Sequence, residues 1–79
     1  MVTIKLKFPV NSDGAAIKEL KMRRAKVRDM LAVEDFSGSD AAKECQLFAN
    51  LCEVTPSVIE EMDLADYQEI QKAYQGFLS

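Results

Sequence analysis

The 79-residue sequence predicts an α+β fold: an N-terminal β-hairpin over about residues 2–23, with three to four short α-helices over about residues 26–78 packed on it. Three observations carry this. The opening VTIKLKF alternates apolar and polar residues, the period-2 signature of a half-buried strand. A dense group of turn residues follows, and then a second, shorter alternating run. From about residue 26 onward the apolar residues recur at steps of three and four, the spacing of one helix face.

Taken in order, Val2, Ile4, Leu6 and Phe8 form the inward side of the first strand, and Thr3, Lys5 and Lys7 the solvated side. PVNSDGAA, with Pro9, Asn11, Ser12, Asp13 and Gly14, turns the chain back. In IKELKMR, Leu20 and Met22 alternate with Glu19, Lys21 and Arg23, so this run pairs with the first as a hairpin. An isolated two-stranded hairpin is marginal in water, so its apolar side needs a cover. KVRDMLAVEDF places Val27, Met30, Leu31 and, less regularly, Val33 on one side of a short helix that stops near SGS. Ser37 or Ser39 caps the next helix, DAAKECQLFANLCEV, whose inner face holds Ala41, Cys45, Phe48 and Cys52 with Leu47 and Leu51 beside them. TPSVIEEM starts with Thr55 as cap and Pro56 at the first helical position, where its missing N–H costs nothing. Asp63 caps the last helix, and Asp66 in its first turn opposes the positive helix end.

Composition narrows the chemistry. The length fits one domain over 1–79, and a domain of this size buries only about 60% of the surface its unfolded chain exposes. There is no His, which removes the commonest metal ligand and the usual general base. Cys45 and Cys52, seven residues apart on a helix, lie about 10.5 Å apart along its axis, beyond the reach of a disulfide. Both are expected to be free, buried thiols of a cytoplasmic protein. No apolar run approaches the roughly 20 residues of a membrane span. With no phosphate loop and no nucleophile beside a base, an enzyme is not expected, nor a catalytic residue, a cofactor or a metal.

Charge is divided along the chain. Residues 1–28 carry eight cations against two acids, a net +6, and residues 29–79 carry eleven acids against two lysines, a net −9. Lys5, Lys7, Lys21 and Arg23 are the candidate charged surface. A basic segment can bind phosphates, which leaves a small regulatory or nucleic-acid-associated adaptor as an alternative function. A solvated strand face is the stronger reading, since edge strands carry Lys to deter edge pairing. Basic end onto acidic end would also steer a homo-oligomer.

The tail of the chain, MDLADYQEIQKAYQGFLS, carries Tyr67, Ile70, Tyr74 and Phe77 on one helical face. Such a stripe is usually core, and it is also what an amphipathic partner helix would use. These four residues and Met62 are the candidate partner-binding set.

In its order of elements, and in IKLKFPV, IKELKMRR, VRDML and above all LFANLCEVTPSVIEEMDLADYQEIQKAYQGFL, the chain resembles the small tail assembly chaperones of contractile-tailed, Mu-like and related temperate phages and prophages. Asp63, Asp66, Tyr67, Ile70 and Phe77 match the pattern; RRAKVRDM departs from it, where Pro or Thr is the family's choice before the first helix. The resemblance implies a chaperone that keeps the long helical tape-measure protein soluble until tube subunits assemble around it, working in the bacterial host cytoplasm and absent from the mature virion. It implies Met22, Met30 and Met62 as adaptable surface, and the tape-measure protein as partner. It also implies that this chain is the short product of a programmed frameshift near the end of the gene, with the longer frameshift product as a second partner. Gly76, Phe77 and Leu78 can be encoded by GGT TTT TTG, whose run of T permits slippage.

Overall fold

A computed structural model describes residues 1–79. Two strands, β1 (Val2–Ser12) and β2 (Ala15–Met22), form an antiparallel hairpin, followed by α1 (Val27–Glu34), α2 (Asp40–Cys52), α3 (Pro56–Glu60) and α4 (Leu64–Phe77). The arrangement is α+β, as the periodicity predicts. Ser12 pairs with Ala15, so the turn is the dipeptide Asp13–Gly14 alone, with positive φ at both residues (50° and 81°). This is the geometry that matches the right-handed twist of a hairpin, and Asp-Gly suits it because Asp tolerates and Gly prefers that region. Pro9, Asn11 and Ser12, expected in the turn, lie in β1 instead.

The ladder is irregular. Between the Lys5–Glu19 and Val10–Ile17 pairs β1 advances five residues while β2 advances two. The extra residues form a bulge around Leu6 to Pro9, and Pro9, lacking an N–H, costs the ladder nothing there. The bulge shifts the alternation: Ile4, Leu6 and Val10 are buried, whereas Phe8, predicted to face inward, is exposed.

One cluster of 13 buried residues forms the core, with Ile4, Leu6, Val10, Leu20 and Met22 from the hairpin and the rest from α2, α3 and α4 and the turn before α4. The helix α2 packs on β2, and α3 and α4 on β1; α1 packs on α2. Phe48 is the centre of an aromatic group, with the Tyr67 ring 5.6 Å away and tilted and the Tyr74 ring 5.5 Å away and edge-on. Offset and edge-on contacts of this kind add about 0.5–1.5 kcal/mol to area burial. Ile70 is completely enclosed between them on α4.

The caps follow the sequence closely. Ser39 Oγ accepts from the Ala42 N–H at 3.1 Å, and Asp63 accepts from the Ala65 N–H at 2.9 Å. Thr55 precedes Pro56 as expected, but its hydroxyl pairs with Ser57 Oγ at 2.9 Å and caps no amide. Cys45 and Cys52 are free thiols, and burial pushes the Cys52 thiol up to about 11.

Candidate protein-binding surface

Two buried carboxylates decide which faces the helices present. Asp66, expected to answer the helix dipole, is 1% exposed, and its two oxygens accept the backbone N–H groups of Lys7 and Phe8, each at 3.0 Å. Those are the amides that the bulge removes from the ladder, so the side chain supplies what the partner strand cannot. Asp29 is 5% exposed and is held by Arg23 through two bonds of 2.9 and 2.8 Å, with a third from the Lys26 N–H at 2.8 Å. The guanidinium bonding, opposed by desolvation and aided by the Lys26 amide, holds the Asp29 carboxyl down at about 2 and raises Arg23.

The second clamp decides which side of α1 is covered, and it separates Val33 from the residues the sequence groups with it. With Asp29 drawn inward to Arg23, Val33, one turn on, follows it to the inside. Val27, Met30 and Leu31, which the sequence groups with Val33 on one side, face solvent at 70%, 59% and 55% exposure. Their spacing puts them on a single side of the helix. Between α1 and the end of α4 a groove of about 230 Å³ opens, lined by Ala25, Val27, Met30, Tyr74 and Leu78 with Lys26 at its rim. Arg24 donates to the Phe77 carbonyl at 3.2 Å and lies 5.3 Å from the centre of the Phe77 ring, fixing the end of α4 beside this face.

The remaining predicted residues divide as follows. Ile70 lies wholly inside the chain's own core, and Met62 is buried. Tyr67, Tyr74 and Phe77 are half-buried against that core, so each keeps an edge in solvent. Of the three methionines expected at the surface, Met22 and Met62 are buried and Met30 is exposed. Lys5, Lys7 and Lys21 are exposed, whereas Arg23 is engaged with Asp29. Lys5 lies with Lys72 and Glu69 around a shallow depression of about 410 Å³ between β1 and α4. The outward stripe of α1 is not among the predicted partner-binding residues; its sequence signal is Asp29 three residues after Lys26, the acidic half of an N-terminal capping box.

A second apolar groove, of about 330 Å³, lies where α2, α3 and the first half of α4 meet. There Glu44 accepts from the Tyr67 hydroxyl and from Gln71 Nε2 at 3.0 Å. Burial first, and then the bond to Glu44, hold the Tyr67 phenol above the ordinary range. No group of three or more His, Cys, Asp or Glu residues is placed to hold a metal ion, and no helix is long and apolar enough to cross a membrane.

A two-stranded hairpin backed by four short helices, with apolar side chains of α1 standing in solvent, is the architecture of a small α+β domain. The family model of the phage tail assembly chaperone proteins, described as E, or 41 or 14, matches residues 3–79. The chain belongs to this family of phage tail assembly chaperones. No single curated protein and no solved structure matches it.

Proposed function

We propose that this chain acts as one unit that binds the tape-measure protein and keeps it soluble in the host cytoplasm while the tail tube assembles, in a contractile-tailed phage or prophage. The observation that supports this is the solvent-facing stripe of Val27, Met30 and Leu31, continued by Leu78, in a member of a tail assembly chaperone family. Contiguous exposed apolar surface of this kind on a small protein marks an interaction site. A tape measure not yet surrounded by tube subunits offers the matching partner: amphipathic helices that aggregate when left uncovered. Tyr74 lines the groove and contributes its exposed edge, Phe77 is held at the end of α4 by Arg24, and Tyr67 lies further along α4, while Ile70 acts indirectly by supporting the helix from the core and Met62 belongs to the core before it. No catalysis is required for this role.

The test is co-expression of the tape-measure protein with the chain, reading the soluble fraction. Replacing Val27, Met30 and Leu31 together by Ser should abolish solubilisation while circular dichroism stays native. A native spectrum with full solubilising activity would refute the α1 surface. The frameshift extension is part of the same proposal and is tested by the gene sequence: GGC TTC CTG at Gly76, Phe77 and Leu78, with no open overlapping frame, would remove it. The adaptor alternative loses support because Arg23, one of its four candidate cations, is already engaged by Asp29.

A further inference from the structure

The second groove, between α2, α3 and α4, carries a charge that the chain itself leaves unanswered. Its walls include Ala41, Ile59, Met62 and Leu64, and Leu64 is largely exposed. Within it, both donors that reach Glu44 go to the same oxygen, Oε1: the Tyr67 hydroxyl and the Gln71 amide. The other carboxylate oxygen, Oε2, receives no hydrogen bond from the chain. No Lys or Arg lines the groove, Glu60 adds a second acid to it, and the protein's two ion pairs, Arg23–Asp29 and Lys72–Glu69, lie elsewhere.

An oriented carboxylate among apolar walls suits one kind of side chain: a long aliphatic stem ending in a positive charge. The stem of a lysine or arginine covers apolar surface while its head stays with a charged or aqueous partner. Two bonds from Tyr67 and Gln71 already fix the Glu44 side chain, so less rotamer entropy is lost when the cation arrives than at an ordinary exposed pair. We propose that this groove is a second contact site, which takes a lysine or arginine projecting from the apolar stripe of a partner helix, with Glu44 as its counter-ion. The inference rests on the reading that the chain captures helical segments, and it adds a chemical preference to it: helices with a basic residue within the stripe are held better than uniformly apolar ones.

The decisive comparison uses two synthetic amphipathic helical peptides, identical except that one carries lysine in its apolar stripe where the other carries norleucine, titrated into the ¹⁵N-labelled chain. The lysine peptide should bind about 10-fold more tightly and shift the amides of Glu44, Tyr67 and Gln71. Sodium chloride should weaken that peptide and leave the norleucine peptide nearly unchanged. In Glu44→Gln the new amide oxygen still accepts from Tyr67 and Gln71, so the fold is kept and the preference for lysine should vanish. Equal affinities of the two peptides for the unaltered chain, or a salt effect common to both, would overturn the site whatever the variant does. Shifts confined to Val27, Met30, Leu31 and Leu78 would overturn it too, yet leave the α1 surface standing, whereas loss of tape-measure solubilisation is read independently by the co-expression assay.

Discussion

The seam between α2 and α4 and the helix α1 are built from the same materials and end in opposite states. In the seam, Phe48, Leu51 and Ile70 are sealed from solvent, locked by aromatic contacts on either side. In α1, valine, methionine and leucine at equally regular spacing stand in water, and the residues turned inward are an aspartate and one valine. Apolar periodicity is present in both. What differs is a polar tether: α1 is eight residues long, too short to be stable alone, and the Arg23–Asp29 pair chooses its orientation where apolar burial does not. The contrast teaches that a short helix can be held in place by charge so that its apolar side stays available.

The sharpest way to break this contrast is to damage the seam. Phe48→Ala should cost about 3–5 kcal/mol, enough to unfold much of so small a protein, as a urea titration would register. If the cost were below about 1 kcal/mol, the seam would not be the stabilising region. Next comes Asp66→Ala, which strands the Lys7 and Phe8 amides beneath α4; the loss should be about 3 kcal/mol, with accelerated hydrogen exchange at those two amides first. An effect smaller than that of an exposed substitution would mean that water replaces the carboxylate.

The tether of α1 is tested by pH. A carboxyl whose folded value lies at about 2, below the ordinary 3.8, contributes stability that is complete above the ordinary value and is lost as the pH falls through that window. Urea midpoints of the native chain and of Asp29→Asn should therefore differ at neutral pH and converge as the solution is acidified toward about pH 2. Parallel curves would show that Asp29 contributes nothing through its charge. Smallest of all should be Val27→Ser, Met30→Ser or Leu31→Ser, each within about 0.5 kcal/mol of native stability. A loss as large as that at Phe48 would place those side chains in the core and erase the distinction between the two regions.

Much of the architecture was legible because it rests on local chemistry. Asp13–Gly14 announces a tight hairpin, Ser39 and Asp63 announce helix starts, and Phe48 and Ile70 lie at the centres of apolar faces. The surface was less legible. An amphipathic pattern says that a helix has two sides, but which side is covered in α1 depends on Arg23, six residues before Asp29, and on the space left beside α2. Phe8 was misjudged, and the reach of Asp66 to the strand amides missed, for a related reason. A bulge breaks the period on which strand arguments rely, and the carboxylate that repairs it comes from a helix far away in the sequence. Tyr67 shows in the sequence only as part of the α4 stripe, and nothing there joins it and Gln71 to Glu44, since the three meet only when α2 and α4 are packed.

The Asp66 clamp also governs when the molecule can be made. It joins the first strand to the last helix across a sequence separation of 58 and 59 residues, so the amides of Lys7 and Phe8 are made well before the carboxylate that satisfies them. Long-range contacts of this kind are paid in loop-closure entropy before they return anything, which delays folding until the distant segment is present. On the ribosome the hairpin emerges early and waits with its bulge open until residues past 66 clear the exit tunnel. Closure of the first strand thus waits on the segment around residue 66, and a chain cut short before it lacks the element that completes the hairpin.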